Sequence, residues 1–296
     1  MYPLVTRYGT KLNPEIPMLL NKKHFYRFIA REYKALSFEE FDQNDQRFKK
    51  RINYALKNWE RFSKVLEHAI QYFVSPPIKI LDIGTYPGTF LNILYQYFHN
   101  GMFDLYGVGI ATTQEFIEDM KIQCRATIKT VNLDPKNEQL RSKGHPINIP
   151  LDDESVDIAF SLDVIEHLTS PTHMLLEAYR VLKTGGYLLL TTPNVTRIGS
   201  VFKLIIGKSN YDRLIPIDYY NEDDEWRPHF REYTMEELSI LLEGIGFKIT
   251  EKKFFIGDCT KFNRKSFQQK SIDLVKMPFH LIPHFRGNIL VVAGKE

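Results

Sequence analysis

Two stretches of the 296-residue chain carry residue types that could do chemistry. In Asp163-Val164-Ile165-Glu166-His167-Leu168, two carboxylates and an imidazole stand three and four positions apart, so a helical turn there would gather all three side chains. Groups of this kind take up, hold or release a proton near neutral pH. A further imidazole, His229, follows 62 residues after His167 in the aromatic and basic run Trp226-Arg227-Pro228-His229-Phe230-Arg231-Glu232-Tyr233-Thr234. The other stretch, Leu81-Asp82-Ile83-Gly84-Thr85-Tyr86-Pro87-Gly88-Thr89-Phe90-Leu91, reads as strand, glycine turn and helix. Such a turn brings backbone close to a ligand and aims helix N–H groups at it; with equal ease it is a tight βα turn without a ligand.

The hydrophobic pattern supplies the elements that must position these residues. From Phe48, apolar positions Ile52, Ala55, Trp59, Phe62, Leu66, Ala69 and Phe73 recur at helical spacing, and Pro76-Pro77 ends the helix. Short apolar runs at 78–84, 105–110, 127–131, 156–161 and 187–192 read as strands, most of them separated by helical segments. One helix starts at Pro171 and stops at Gly185-Gly186; another opens on the capping box Thr234-Met235-Glu236-Glu237 and stops at Gly244. Residues 247–249 and 288–293 supply the last two strands. The alternation predicts a doubly wound α/β fold, a mostly parallel sheet with helices on both faces. Ligands bind such sheets at the carboxyl ends of the strands, here the loops after Ile83, Ile110, Val131, Ser161 and Thr192.

With 43% hydrophobic and 25% charged residues the chain is neither disordered nor a fibrous repeat. A formal charge of +3 with scattered basic residues gives no footprint for nucleic acid. Two cysteines far apart argue against a disulfide framework and fit a cytoplasmic protein. The first residues lack a secretory pattern, and no apolar run approaches the roughly 20 residues of a membrane span. The run Val201 to Lys208 reads either as a packed helix or as a segment touching a membrane surface. The expected organisation is an N-terminal extension over 1–45 and a single domain over 46–296. Within that domain, 193–233 form a cap or substrate insertion and 257–287 a helical connection before the last strand. The aromatic content of 13% is concentrated partly in Phe25-Tyr26-Arg27-Phe28 and in the insertion from Tyr211 to Tyr233, and the expectation is that this surplus lines an acceptor pocket.

Four stretches in order resemble the class I S-adenosylmethionine-dependent methyltransferases over about residues 78–255. They are Asp82 to Gly88, Ile149-Pro150-Leu151-Asp152-Asp153-Glu154-Ser155-Val156-Asp157, Asp163 to Leu168, and Arg180-Val181-Leu182-Lys183-Thr184-Gly185-Gly186 leading to Thr192-Pro193-Asn194. The resemblance implies a seven-stranded sheet with an antiparallel last strand. It implies that S-adenosyl-L-methionine binds with Gly84, Thr85, Tyr86 and Gly88 around its methionine half and Asp82 on its amino group. Asp134 would meet the adenine beside Leu133, Ile110 would end the second strand at the pocket, and Ser161, Leu162 and Asp163 would floor it. Asp82 capping its own turn and Asp134 starting a turn before Pro135 are the plainer alternatives.

Two positions depart from the family pattern: Gly109 stands where an acid usually holds the ribose, and Tyr86 replaces a glycine. The expected activity is O-methylation of a small polar or glycan acceptor, with His167, Glu166 and His229 as the catalytic residues. Asp163, Glu166, His167 and His229 also look like the site of certain metal-assisted O-methyltransferases, which would add Mg²⁺. A non-catalytic scaffold that kept the fold is the remaining alternative.

Overall fold

The computed structural model describes residues 22–33, 46–73, 76–98, 101–110, 112–137, 141–210, 229–256 and 276–296. Seven strands form one sheet in the order β3-β2-β1-β4-β5-β7-β6: β1 (Ile78–Ile83), β2 (Phe103–Gly109), β3 (Thr127–Thr130), β4 (Val156–Leu162), β5 (Leu182–Pro193), β6 (Lys248–Phe255) and β7 (Asn288–Gly294). Only β7 is antiparallel to its neighbours. The direction of travel across the sheet reverses between β1 and β4, which pair directly, and this is where an open α/β sheet leaves a crevice. The predicted doubly wound fold with its antiparallel last strand is the one observed.

The helices are α1 (Lys22–Arg27), α2 (Gln46–Ala69), α3 (Thr89–Tyr97), α4 (Gln114–Cys124), α5 (Thr172–Val181), α6 (Ile198–Ile205) and α7 (Met235–Ile245). None of the described helices is long and apolar enough to cross a membrane. Strand residues alternate between two cores. On β7, Leu290 and Val292 join the cluster under α2 and α3, while Ile289, Val291 and Ala293 join the one under α5 and α7. The first core takes in Phe25, Phe28, Ile29 and Tyr33, so residues 22–33 share the packing of the sheet. Tyr97 of α3 meets Phe28 at 4.6 Å and Phe25 at 5.2 Å between ring centres. Phe25 and Phe28, expected to line an acceptor pocket, are therefore packing residues; their rings are the apolar surface that seats the N-terminal segment. The insertion's Tyr219, Tyr220 and Trp226, and Cys259, lie outside the described residues.

Three boundaries differ from expectation. α5 ends at Val181 because Leu182 already pairs with Val156 of β4. The register then jumps to Ile158 opposite Tyr187, and Gly185-Gly186 sit in the resulting bulge. A side chain on Gly186 would lie 2.9 Å from the Lys183 carbonyl oxygen. α7 passes through Gly244 and stops at Gly246, whose φ of +115° gives the left-handed cap. Edge strand β6 runs to Phe255, much further than 249, its outer half disguised by Glu251-Lys252-Lys253.

The second and fourth motifs are held together by Arg180. It donates to the carbonyls of Ile149 (2.8 Å) and Leu151 (3.0 Å), to Asp153 (2.7 Å) and to Glu177 (2.7 and 2.8 Å). Glu177 in turn accepts from the Ile149 N–H at 2.6 Å. Burial pushes Glu177 up, but these bonds and the guanidinium charge outweigh it and hold the carboxyl below its ordinary range. Arg180→Ala leaves Glu177 buried without its partner, and we expect a loss of about 2–4 kcal/mol in urea unfolding; an unchanged midpoint would show the clamp to be ornamental.

Candidate active site

Asp82 ends β1 with only 3% of its surface exposed. The chain then turns sharply, with the Gly84 N–H (2.8 Å) and Thr85 N–H (3.2 Å) both donating to the Val108 carbonyl of β2. Gly84 and Gly88 adopt φ of +78° and +81°. A side chain on Gly84 would lie 2.4 Å from Val164, and one on Gly88 2.2 Å from Met120. The two glycines let the turn pack against the loop after β4 and against α4. Tyr86, which replaces the family glycine, is half-buried with its ring 5.2 Å from that of Phe116. Around the turn lies a narrow, half-open cleft lined by Tyr54 and Phe62 from α2, Asp82, the 84–87 loop, Thr89 and Phe90 from α3, and Leu162.

α2 carries the residue that sequence reasoning passed over. Arg61 is buried, donates to the Tyr54 hydroxyl at 2.8 Å and forms an ion pair with Asp163. Its charge also acts on Asp82 and on Glu166. The signal was present: Tyr54, Asn58 and Arg61 stand at i, i+4 and i+7, a polar line along an otherwise apolar helix face. Burial pushes the Asp82 carboxyl up to about 7, against the opposing pull of Thr85 and of Arg61.

After β4, Asp163 takes a φ of +56° and its carboxylate accepts from Thr191 Oγ1 at 2.8 Å as well as from Arg61. A single 3-10 turn follows, Ile165–His167. Glu166 is fully buried and accepts from Thr192 Oγ1 at 2.9 Å through Oε2; its Oε1 has no hydrogen-bond partner among the described residues. Burial pushes this carboxyl up to about 7. The His167 and His229 rings meet edge to face at 4.8 Å. The ligand atoms of Glu166, His167 and His229 all lie within 4.8 Å of one another. The segment that brings His229 here hangs on the Glu166 carbonyl, which accepts from the Phe230 N–H at 2.8 Å. Glu232 holds both His229 Nδ1 (3.1 Å) and Arg197 (2.5 and 2.8 Å). Burial raises Glu232, yet His229 and Arg197 outweigh it and hold the carboxyl below its usual range.

Of the three residues that spacing would gather, the structure brings together Glu166 and His167 but not Asp163, whose two oxygens are occupied by Thr191 and Arg61; His229, which the resemblance to metal-assisted enzymes implied, joins them. Ser161 is also displaced: its hydroxyl faces Met174 in the core at 3.7 Å, so of the proposed floor only Leu162 lines the cleft. Asp134 is buried and spends both oxygens on the Thr169 N–H and hydroxyl and the Ser170 N–H, at 2.8–3.1 Å, anchoring the loop after β4. Leu133 is a core residue and Ile110 is half-buried at the end of β2. A side chain on Gly109 would meet the Thr85 nitrogen at 3.7 Å and the Gly84 Cα at 3.9 Å, ordinary contacts without a clash.

A doubly wound sheet with an antiparallel final strand, and an acid and two glycines in the turn after its first strand, defines an α/β domain built to receive a nucleotide-like cofactor. The family model for a methyltransferase domain matches residues 47–252, and the chain belongs to that family, the class I S-adenosylmethionine-dependent methyltransferases. A probable S-adenosylmethionine-dependent methyltransferase of Mycolicibacterium smegmatis is 32% identical over 108 residues, 36% of this chain and 35% of the relative. The chain thus matches about a third of the length of the curated relatives it resembles. Among solved structures, an S-adenosylmethionine-dependent methyltransferase from Archaeoglobus fulgidus shares the fold with a TM-score of 0.50 and 19% identity, over 85% of this chain and all of that one. The [4+2]-cyclase SpnF shares it equally, at 0.50 and 14% identity over 93% of this chain and 96% of its own. One fold hosts more than one reaction, so the chemistry must be argued from the site.

Asp82 gives the site a pH signature. Its carboxyl ionises near 3.8 when exposed and near 7 when folded. The unfolded chain therefore loses its proton first, and stability falls as pH rises from about 4 through 7. Thermal unfolding of the ligand-free protein should show the decline, with Asp82→Asn recovering roughly 2 kcal/mol of the loss between about pH 5.5 and pH 8; a variant that declines as steeply as the parent would refute the assignment.

Proposed function

We propose that this protein transfers the methyl group of S-adenosyl-L-methionine to a hydroxyl of a small polar or glycan acceptor. The observation that carries the reading is that one buried cation, Arg61, acts electrostatically on both Asp82 of the cleft and Glu166 of the Glu166, His167 and His229 cluster, and pairs with Asp163 between them in sequence. The residues around the turn fit the cofactor's methionine half. Asp82 is a buried carboxyl in the cleft wall suited to an ammonium group, and Tyr54, Phe62 and Tyr86 line the cleft around it. When bound, the cofactor supplies an electrophilic methyl. His167 takes the acceptor's hydroxyl proton, while Glu232 fixes the His229 ring beside it by bonding Nδ1. Arg61 and Asp163 hold the helix and the loop in register so that acceptor and methyl meet in line. Gly109 has no side chain to accept from the ribose, which is left to backbone, to water or to a neighbour; Glu115 is exposed at the start of α4.

A second reading is favoured by the unpartnered Glu166 Oε1. Two imidazoles and a carboxylate within reach of one another, one imidazole fixed by a carboxylate at its other nitrogen, form a set that could hold a divalent ion. Two nitrogen donors suit Mn²⁺, Fe²⁺ or Zn²⁺ better than Mg²⁺, which prefers oxygen. In that reading the ion lowers the acceptor hydroxyl's pKa.

Calorimetric titration with S-adenosylhomocysteine should give saturable heat. Affinity should rise roughly tenfold per pH unit up to about 7 and then level off, because the ammonium binds the ionised form of Asp82. Asp82→Asn should flatten that profile, and Gly109→Asp, which has room, should bind more tightly. Absence of heat at millimolar ligand would end the cofactor reading. Thermal shift by Mn²⁺ but not Mg²⁺, lost in His229→Ala, is the outcome expected of a metal site; insensitivity of both activity and melting to chelator and ions would remove it.

A further inference from the structure

α6 buries Ile198 at its start but leaves the apolar residues of its second half exposed. Leu204, Ile205 and Ile206 are 58%, 73% and 64% exposed, and Phe202 is partly exposed beside them. Residues 276–285 lie against this helix: the Phe202 and Phe279 rings meet at 5.7 Å, and a side chain on Gly199 would come within 3.4 Å of Lys276 Nζ. Their two 3-10 turns, Met277–Leu281 and Pro283–Phe285, add Met277, Leu281 and Ile282 at 66%, 80% and 48% exposure. Large aliphatic side chains so fully exposed protrude rather than line a groove. Contiguous apolar surface of this kind marks an interaction site.

Within the two described segments that form this face the charges are of one sign. Residues 195–210 and 276–288 contain Arg197, Lys203, Lys208, Lys276 and Arg286, with His280 and His284, and not one Asp or Glu. Arg197 is neutralised by Glu232 and Arg286 is turned onto the carbonyls of His280 and Phe254. The lysines remain as a basic rim to the aliphatic face, Lys203 and Lys208 exposed and Lys276 partly so. Protruding aliphatics ringed by lysines complement one kind of surface above others: a bilayer whose acyl boundary accepts the apolar side chains while its anionic headgroups pair with the ammonium groups.

The face is fixed to the carboxyl edge of the sheet. Asn194, at the end of β5, donates its side-chain amide to the carbonyls of His284 (2.7 Å) and Arg286 (2.8 Å). Arg197, at the start of α6, shares Glu232 with His229. A membrane met by α6 and the 276–285 turns therefore lies beside the Glu166, His167 and His229 cluster.

We propose that this face docks the protein on an anionic lipid bilayer. The inference does not rest on the methyl-transfer reading, since an inactive protein would bind vesicles equally. The test is co-sedimentation of the full chain with vesicles of phosphatidylcholine alone and of phosphatidylcholine with about a third phosphatidylglycerol. The protein should pellet with the anionic vesicles, hardly with the neutral ones, and come off as salt rises from about 0.1 M to 0.5 M. Ile205→Glu with Leu281→Glu should weaken binding roughly tenfold or more. Lys203→Glu with Lys208→Glu should abolish the preference for anionic vesicles. All four positions are exposed, so both double variants should keep the parent's melting temperature and its S-adenosylhomocysteine titration. Failure to pellet with anionic vesicles overturns the proposal, as does equal binding by the Ile205→Glu, Leu281→Glu protein. A doubled mass in light scattering that the aliphatic variant abolishes, without pelleting by the parent, would assign the face to a second copy instead.

Discussion

Arg61 brings one buried positive charge to three carboxyl groups, pairing directly with Asp163 and acting at longer range on Asp82 and Glu166. Burial raises Asp82 and Glu166 to about 7 each, and the charge of Arg61, which pairs with Asp163, pulls both back without restoring the ordinary carboxylate range. The site at rest is therefore poised, with two acids able to lose a proton when a cation of any kind arrives. That poise requires α2 to lie where it does. Its far end is tied to edge strand β6, where Tyr72 donates to Glu251 at 2.8 Å and His68 meets the same carboxylate at 2.7 Å. Near its middle, Trp59 meets the ring of Tyr26 from α1 at 5.2 Å. The N-terminal segment and the sheet edge thus set the electrostatics of a cleft that neither of them lines.

Much of what makes the sequence look like a methyltransferase serves the scaffold. Asp153 and the carbonyls of Ile149 and Leu151 are bound to Arg180, Asp157 accepts from Lys183 at 2.7 Å and from the Lys79 N–H at 2.8 Å, and Asp134 anchors Thr169 and Ser170. These polar residues replace water for backbone groups that the loops would otherwise strand. A motif can mark a family because its fold needs the residue, with the ligand contacting only a few of the positions that identify it.

The parallel sheet was legible because both of its faces are buried, so strands β1, β4 and β5 read as apolar runs. The capping box at Thr234 was legible because its chemistry is local. What could not be read was decided by partners distant in sequence. The early end of α5 depends on pairing with β4, and the length of β6 on its pairing with β7 behind a charged outer face. Asp163 looked like a member of the chemical cluster by spacing, but Arg61, 102 residues earlier, claims it. Glu166 and His167 come together as spacing suggested because a 3-10 turn follows β4, and His229, implied only by the resemblance, reaches them because the 229–231 backbone docks on the Glu166 carbonyl. The aromatic surplus misled in its N-terminal part for a related reason: composition reports how many rings there are, and only packing says whether they face a ligand or one another.

The position of β7 between β5 and β6 has a consequence for the order of events at the ribosome. Strands β1 to β5 can align as their residues emerge, but β6 cannot join them, because its only neighbour is a strand some thirty residues further along. Until 288–294 have been made, the growing sheet ends on β5, whose apolar, fully extended edge offers unpaired N–H and C=O groups to any other chain. Docking of those seven residues converts an adhesive edge into an interior strand, so the sheet is open to association with other chains until β7 has emerged and paired.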